Sequence, residues 1–308
     1  MPGVRQFFTD LMARFSEEAR VLRDRGYQFV DNGRLGEGTY AKVKCAYSTQ
    51  LANHVAVKII DKKRAPSDFI NKFLPREMVV IKRLRHKHII QVLDLFEVRE
   101  KVYVIMELAT RGDLLEYIRY RGCVRERKAK KVFSQLLQAV KYCHQQGVIH
   151  RDLKCENVLL DIGDNVKLTD FGFSKLNPRK ELCKTFCGSA AYAAIEILQG
   201  TEYDGEKADI WSLGIILYTM VTGRMPFDDA NMTTLLRQIK RGVEFRKPKQ
   251  MVSEECRDLI RCMLTHNYEY RIIIPEIEAH RWIISDLREG SSSTSEQTIE
   301  SFKSARSS

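Results

Sequence analysis

Apolar and polar residues alternate, or apolar residues gather in short runs, over 28–35, 42–47, 54–60, 91–96 and 102–108, which predicts five strands. Between the third and fourth, Val80, Ile81 and Leu84 recur at helical spacing behind Pro75, whose missing N–H costs nothing in a first helical turn. Beyond Gly112 the period lengthens, and 114–120, 127–145, 211–222 and 233–241 predict helices. The pattern therefore describes an α+β chain with a small β-rich region, one helix inserted in it, followed by a larger helical region. At the start, Phe7, Phe8, Leu11, Met12 and Phe15 lie at helical spacing among charged residues. Acidic residues are mixed in, so 1–26 reads as an amphipathic extension that docks on the rest and not as a targeting peptide. The tail 283–308 turns serine-rich from Gly290 with few apolar residues, and is expected to be disordered.

With 308 residues and 44% hydrophobic content, the chain can bury a substantial core in one large domain or two lobes. No apolar run is long enough to cross a bilayer, so no membrane partner is expected. A net charge of +11 raises nucleic-acid binding as a possibility, through counterion release from phosphates. The basic residues are spread out, however, with only small clusters at Lys62-Lys63-Arg64 and 125–131, and no zinc-finger or RNA-binding motif accompanies them. Solvated helix faces and an acidic partner account for the charge, and no nucleic acid is expected. The 8 cysteines form no C-x-x-C pair and have no histidines at zinc-ligand spacing, which suits reduced thiols in a cytoplasmic protein. Cys183 and Cys187 flank Thr185, where redox sensitivity is the alternative to plain core or surface thiols.

Chemistry concentrates in His150-Arg151-Asp152-Leu153-Lys154-Cys155-Glu156-Asn157 and, shortly after, Asp170-Phe171-Gly172. A carboxylate base, a lysine and two oxygen ligands for Mg²⁺ are what phosphoryl transfer needs to orient a hydroxyl and neutralise developing charge. Upstream, Gly36-Glu37-Gly38-Thr39-Tyr40-Ala41-Lys42-Val43 reads as a glycine-rich loop, where absent Cβ atoms let backbone amides approach phosphate. Ala41 stands where that pattern has a third glycine. Val55-Ala56-Val57-Lys58 follows, and the helix carrying Glu77 places that carboxylate on the side that reaches Lys58. Alone, Glu77 would be a surface glutamate, Asp170 a turn residue and Asn157 a helix cap. Their order changes that reading.

Downstream come Thr185-Phe186-Cys187-Gly188-Ser189, Ala194-Ile195-Glu196, Asp209-Ile210-Trp211-Ser212-Leu213-Gly214, Pro226-Phe227-Asp228-Asp229, and Arg271 before His280-Arg281-Trp282. On these motifs the chain resembles a eukaryotic-type protein kinase over 27–282. Phe73-Leu74-Pro75-Arg76-Glu77, Tyr142-Cys143-His144 and Thr185 through Ala194 are similar to the testis-specific serine/threonine kinases, within the calmodulin-kinase-like group.

The resemblance implies a bilobal fold, with ATP and Mg²⁺ between a β-rich N-lobe and a helical C-lobe. It implies that Asp152 orients the substrate hydroxyl, Lys154 steadies the γ-phosphate, Asn157 and Asp170 hold Mg²⁺, and Lys58, aimed by Glu77, contacts the α- and β-phosphates. Leu35, Val43, Ala56 and Leu159 would sandwich adenine beneath the gatekeeper Met106, with Glu107 to Ala109 offering backbone bonds to the base. Gly36, Glu37, Gly38, Thr39, Tyr40, Ala41, Lys42 and Asp113 complete the nucleotide set. Ser189, Asp113 and Glu156 would face protein substrates with Ser or Thr, the last two favouring an upstream basic residue; Thr219 replaces an acid that would read a further site. Asp209 would hold the catalytic-loop backbone, and Arg271 would pair with Glu196.

Arg151, beside the catalytic base, reads as a buried cation needing an anion, and Thr185, phosphorylated by an upstream kinase or by the protein itself, would supply one with help from Lys175. Thr185 as a plain loop residue is the alternative. The family implies a role in spermatogenesis. Two positions depart from the pattern: Ile195 replaces a proline and Asn267 an acid. They bear on stability and substrate docking, and are the support for the alternative of a pseudokinase or scaffold.

Overall fold

The computed structural model describes residues 17–184, 188–245 and 251–285. The aromatic positions Phe7 to Phe15, Thr185 and the serine-rich tail lie outside them. The chain divides into two compact units after Thr110.

In the first unit, α1 (Glu17–Arg23) precedes β1 (Tyr27–Glu37), β2 (Ala41–Ser48) and β3 (Asn53–Asp61), followed by α2 (Leu74–Arg83), β4 (Val92–Val98) and β5 (Lys101–Glu107). The strands form one antiparallel sheet in the order β1-β2-β3-β5-β4. All five predicted strands are present. β3 is central and is buried on both faces because successive side chains point opposite ways. Val55, Val57 and Ile59 join Ala46, Tyr103, Ile105, Tyr27 and Leu22 of α1 on one face, while Ile60 joins Val102, Val104 and Leu74 of α2 on the other. A π-helical turn, Phe69–Phe73, leads into α2 and has no counterpart in the hydrophobic pattern. Pro75 sits in the first turn of α2 as expected.

The second unit holds α3 (Leu114–Arg121), α4 (Glu126–Gln145), β6 (Val148–Ile149), β7 (Val158–Leu160), β8 (Val166–Leu168), β9 (Lys175–Leu176), α5 (Ile195–Leu198), α6 (Gly205–Thr222), α7 (Met232–Arg241), α8 (Glu254–Met263) and α9 (Ile274–Ala279). Helix α6 is buried around its whole circumference, with α4 and α8 packed against it, as an apolar-all-round helix must be. It begins at Gly205 and not near Trp211, because the Asp204 carboxylate accepts bonds from the amides of Glu206 and Lys207. That cap is polar, so the hydrophobic period missed it. β6 pairs with β9 and β7 with β8, and these short ladders brace the 150–157 segment.

The end of the unit is tied to its beginning. Glu126, the first residue of α4, accepts bonds from the indole of Trp282 (2.7 Å), from the amide of Ser253 (2.9 Å) and from the Ser253 hydroxyl. Phe133 packs edge-on beneath Trp282, with ring centroids 5.9 Å apart.

Candidate active site

In the first unit, Lys58 is the one charged residue in the buried run of β3, and such a charge needs a partner. Glu77, buried on α2, supplies it: Nζ to Oε1 is 2.9 Å. Glu77 Oε2 finds no donor among the described residues. The register sets Val43 opposite Lys58 and Gly36 opposite Val43, while Ala56 faces Met106 on β5. The β1–β2 hairpin closes through the Gly38 amide on the Ala41 carbonyl at 2.7 Å. A Cβ on Gly36 would meet nothing within 4 Å, so the protein's own packing does not demand glycine there. The open space above Gly36 suits a ligand approaching the backbone.

Three members of the expected nucleotide set have other engagements. Lys42 lies on the face of β2 opposite Val43, and its amine sits 2.8 Å from Glu18 of α1, so its side chain is engaged by that helix. The two-residue strand period puts the Lys42 side chain on that face, while its backbone remains part of the glycine-rich hairpin. Tyr40 packs on Phe69 with centroids 4.5 Å apart. Glu107 uses its carboxylate on the Gln91 amide at 2.8 Å. Leu35 is exposed and Ala109 half-buried, with Glu37 and Thr39 at the hairpin tip.

In the second unit, Asp152 is buried and bonded on both oxygens. Oδ1 accepts from the Ser189 amide (3.1 Å) and hydroxyl (3.2 Å); Oδ2 accepts from Asn157 Nδ2 (3.2 Å) and Lys154 Nζ (2.9 Å). Asn157 Nδ2 also reaches the Asp152 carbonyl at 2.9 Å, and Lys154 Nζ reaches the Ser189 hydroxyl at 3.2 Å. Gly188 makes this closure possible: φ is +90°, and a Cβ there would come within 2.5 Å of the Arg151 carbonyl. Sequence reading carried Gly188 only as part of a motif, where its glycine identity was the available signal.

The loop beneath is suspended from Asp209 on α6. Its carboxylate accepts from the amides of His150 (2.9 Å) and Arg151 (2.9 Å) and from His144 Nε2 (2.8 Å). Burial pulls the Asp209 pKa upward, but the bond and charge of His144 outweigh it, and the group is held below its ordinary range. These bonds support a left-handed Arg151, φ +65°, a conformation a non-glycine residue adopts only when its surroundings impose it. Asp170 is left-handed as well, φ +62°. His150 Nε2 lies 3.2 Å from the Thr169 carbonyl and Nδ1 accepts the Asp152 amide, which places the proton on Nε2. The His150 ring packs on Phe171 at 4.9 Å, and Asn157 O accepts the Thr169 amide, so the Asp152 and Asp170 segments are tied to each other.

Arg151 is half-buried, not buried as the sequence suggested, because its Nε reaches the Phe173 carbonyl at the surface (2.7 Å). Lys175 Nζ lies 3.8 Å from Cys183 Sγ. Asp113 caps α3 by accepting the Glu116 amide, and burial raises its carboxyl pKa against that bond. It also forms an isolated bridge with Leu159. Glu156 is exposed and receives the Tyr192 hydroxyl at 3.3 Å, a partner sequence reading did not find. Burial pushes the Cys155 thiol up to about 12, so it stays protonated and inert. Thr219 is buried and donates to the Ile215 carbonyl, so it cannot read a substrate.

The two departures from the family pattern are accommodated. Ile195 is the first residue of α5 and is buried, and the adjacent Glu196 still pairs with Arg271. Asn267 caps its own turn by accepting the Glu269 amide at 3.0 Å, work a carboxylate would otherwise do.

A base held by a serine, an asparagine and a lysine on one unit, and a lysine–glutamate pair under a glycine hairpin on the other, define a protein serine/threonine kinase. Residues 29–283 match the protein kinase domain family. The chain is 53% identical to testis-specific serine/threonine-protein kinase 1 of Mus musculus over 274 residues, which are 87% of this chain and 74% of that protein. Against testis-specific serine/threonine-protein kinase 3 of Mus musculus the identity is 47% over 268 residues, 86% of this chain and 98% of that one. Serine/threonine-protein kinase SIK2 of Gallus gallus is 42% identical over 283 residues, covering 89% of this chain and 35% of that protein. The chain belongs to the testis-specific serine/threonine-protein kinase family.

Proposed function

We propose that the protein transfers the γ-phosphoryl group of ATP, with Mg²⁺, to serine or threonine of protein substrates, and that Asp152, Lys154, Asn157, Asp170, Lys58 and Glu77 do this work. The observation that carries the reading is the set of bonds on Asp152, which fixes a carboxylate beside an ammonium and a carboxamide. The donors fit the group. Asn157 and Asp170 offer hard oxygen, and since no three His, Cys, Asp or Glu side chains among the described residues could hold a metal by themselves, phosphate oxygens would complete the shell. Bound Mg²⁺ supplies charge neutralisation on the phosphate tail. Asp152 receives or orients the hydroxyl proton, Lys154 keeps a positive charge beside the transferred group, and Glu77 keeps Lys58 extended from β3.

The finer points of the proposal are these. Phosphorylated Thr185, made by an upstream kinase or by autophosphorylation, activates the enzyme through Arg151 and Lys175. Asp113 and Glu156 favour a basic residue upstream of the target, by charge-assisted pairing. The names of the relatives support a role in spermatogenesis. A cytoplasmic setting accords with the free thiols of the described cysteines. The alternative of a pseudokinase or scaffold has Ile195 and Asn267 as its support, and transfer from ATP by purified wild type decides between the two readings.

The test is transfer from ATP to a protein substrate by purified wild type and Asp152→Asn. The variant is expected to lose on the order of 10²- to 10⁴-fold in kcat while binding nucleotide normally. Near wild-type turnover in the variant would refute the assignment.

A further inference from the structure

Helix α1 has seven residues, too few to persist in water without tertiary support. Its support is specific. Leu22 is fully buried on the outer face of the sheet, the Arg25 guanidinium just beyond the helix lies 4.2 Å above the Phe96 ring, and Glu17 pairs with Arg99. Glu18 is only 6% exposed and divides its two oxygens between strands that are not neighbours: Oε2 to Lys42 of β2 and Oε1 to Lys101 of β5, both 2.8 Å, with β3 running between them. A carboxylate placed this way joins what backbone pairing leaves separate. Burial alone would raise its pKa, yet the two lysines hold the group below its ordinary range.

Lys42 is the arm that matters for chemistry. It follows the hairpin tip directly, in register with Glu37 across the hairpin and with Ile59 on β3. Its neighbour Val43 sits between Gly36 and Lys58. Besides the Gly38 to Ala41 bond, the Asp61 amide on the Tyr40 carbonyl at 2.9 Å and the Tyr40 ring against Phe69 hold the tip. A shift of Lys42 along β2 is therefore carried into the glycine hairpin, because Lys42 is paired directly with Glu37 across it.

We propose that Glu18 is a positioning residue for phosphoryl transfer: through Lys42, helix α1 sets the place of the hairpin Gly36–Val43 relative to Lys58. The proposal rests on ATP being the phosphoryl donor. Lys101, the other arm, anchors the helix without touching the hairpin, and so separates positioning from mere stabilisation.

Full-length Glu18→Gln, Lys42→Met, Lys101→Met and the Glu18→Gln/Lys42→Met double variant are compared. Glu18→Gln and Lys42→Met are expected to raise KM for ATP about three- to tenfold with kcat within about twofold, the range for coupling carried through packed elements. The double variant should rise no further than either single one, since both remove the same link. Lys101→Met should lower Tm and leave KM for ATP unchanged. Amide hydrogen exchange on the nucleotide-free chain gives a readout independent of activity: residues 38–42 should exchange faster in Glu18→Gln and Lys42→Met and at the wild-type rate in Lys101→Met. Unchanged exchange at 38–42, or a Tm loss with KM unaltered, overturns the inference. Wild type that fails to transfer from ATP refutes the proposed function instead, and the exchange rates still decide the role of Glu18.

Discussion

Arg271 and Glu196 face each other as two parallel bonds, NH1 to Oε1 at 2.8 Å and NH2 to Oε2 at 3.1 Å, with both side chains almost wholly out of water. The guanidinium spends its other donors on the carbonyls of Lys207 (2.8 Å) and Thr265 (3.0 Å) and lies 5.0 Å from the Trp211 ring centroid. Every nitrogen is used, and lysine could not reproduce the fork. Removing one partner strands a buried charge, so Glu196→Gln or Arg271→Met should cost about 3–5 kcal/mol, seen as a lower urea midpoint. A loss below about 1 kcal/mol would mean that water reaches the pair.

Proline at Ile195 is geometrically permitted. Ala194 before it is extended, ψ 157°, as a residue preceding proline prefers, and the position opens a helix. A compatible proline stabilises by about 0.4–1 kcal/mol through the unfolded chain. Ile195 is buried, however, and the ring loses about one methylene of burial, roughly 0.8 kcal/mol. The two effects cancel, and Ile195→Pro is expected to move Tm by less than about 3 °C and leave activity near wild type. A large Tm rise would show that the isoleucine strains α5.

Activation through Thr185 is checked by mutation and dephosphorylation together. Thr185→Ala should lower turnover, and phosphatase should lower that of wild type but not of the variant, because a phosphate needs Arg151 and Lys175 as counter-charges. Mass spectrometry of Thr185 scores the modification state. Equal activity with and without the phosphate refutes the mechanism.

The pH dependence of stability follows from Glu18. Its folded pKa lies below its unfolded one, so its contribution is complete above the unfolded value and disappears as pH falls through the folded one. The gap in urea midpoint between wild type and Glu18→Gln should be constant from neutral pH to about 5 and narrow below about 4.3. A gap that widens on acidification would show that Glu18 is protonated in the folded protein.

The strands were legible because β3 is a short apolar run, as a strand buried on both faces must be, and Lys58 with Glu77 could be paired from motif order. Asp152, Asn157 and Lys154 could be named for the same reason, since they lie within one short segment. What stayed hidden acts across distance or through polar atoms. Asp204 moves the start of α6 by capping, and Glu18 reaches a lysine 83 residues on, whereas the hold of Asp209 on the amides of His150 and Arg151 was legible through the family resemblance. The ion pair of Lys42 with Glu18 stayed hidden because the motif gives the residue's place in the chain but not the face of β2 its side chain occupies.

Glu126 has a different significance when the chain is considered in order of synthesis. Its partners Ser253 and Trp282 lie 127 and 156 residues later, so α4 leaves the ribosome with a carboxylate that has no mate. Translation proceeds at about 5–20 residues per second, and the knot stays open for many seconds while the intervening helices appear. The helical unit thus carries its own completion signal: only a chain that has been read through Trp282 can close the ring between its first long helix and that indole.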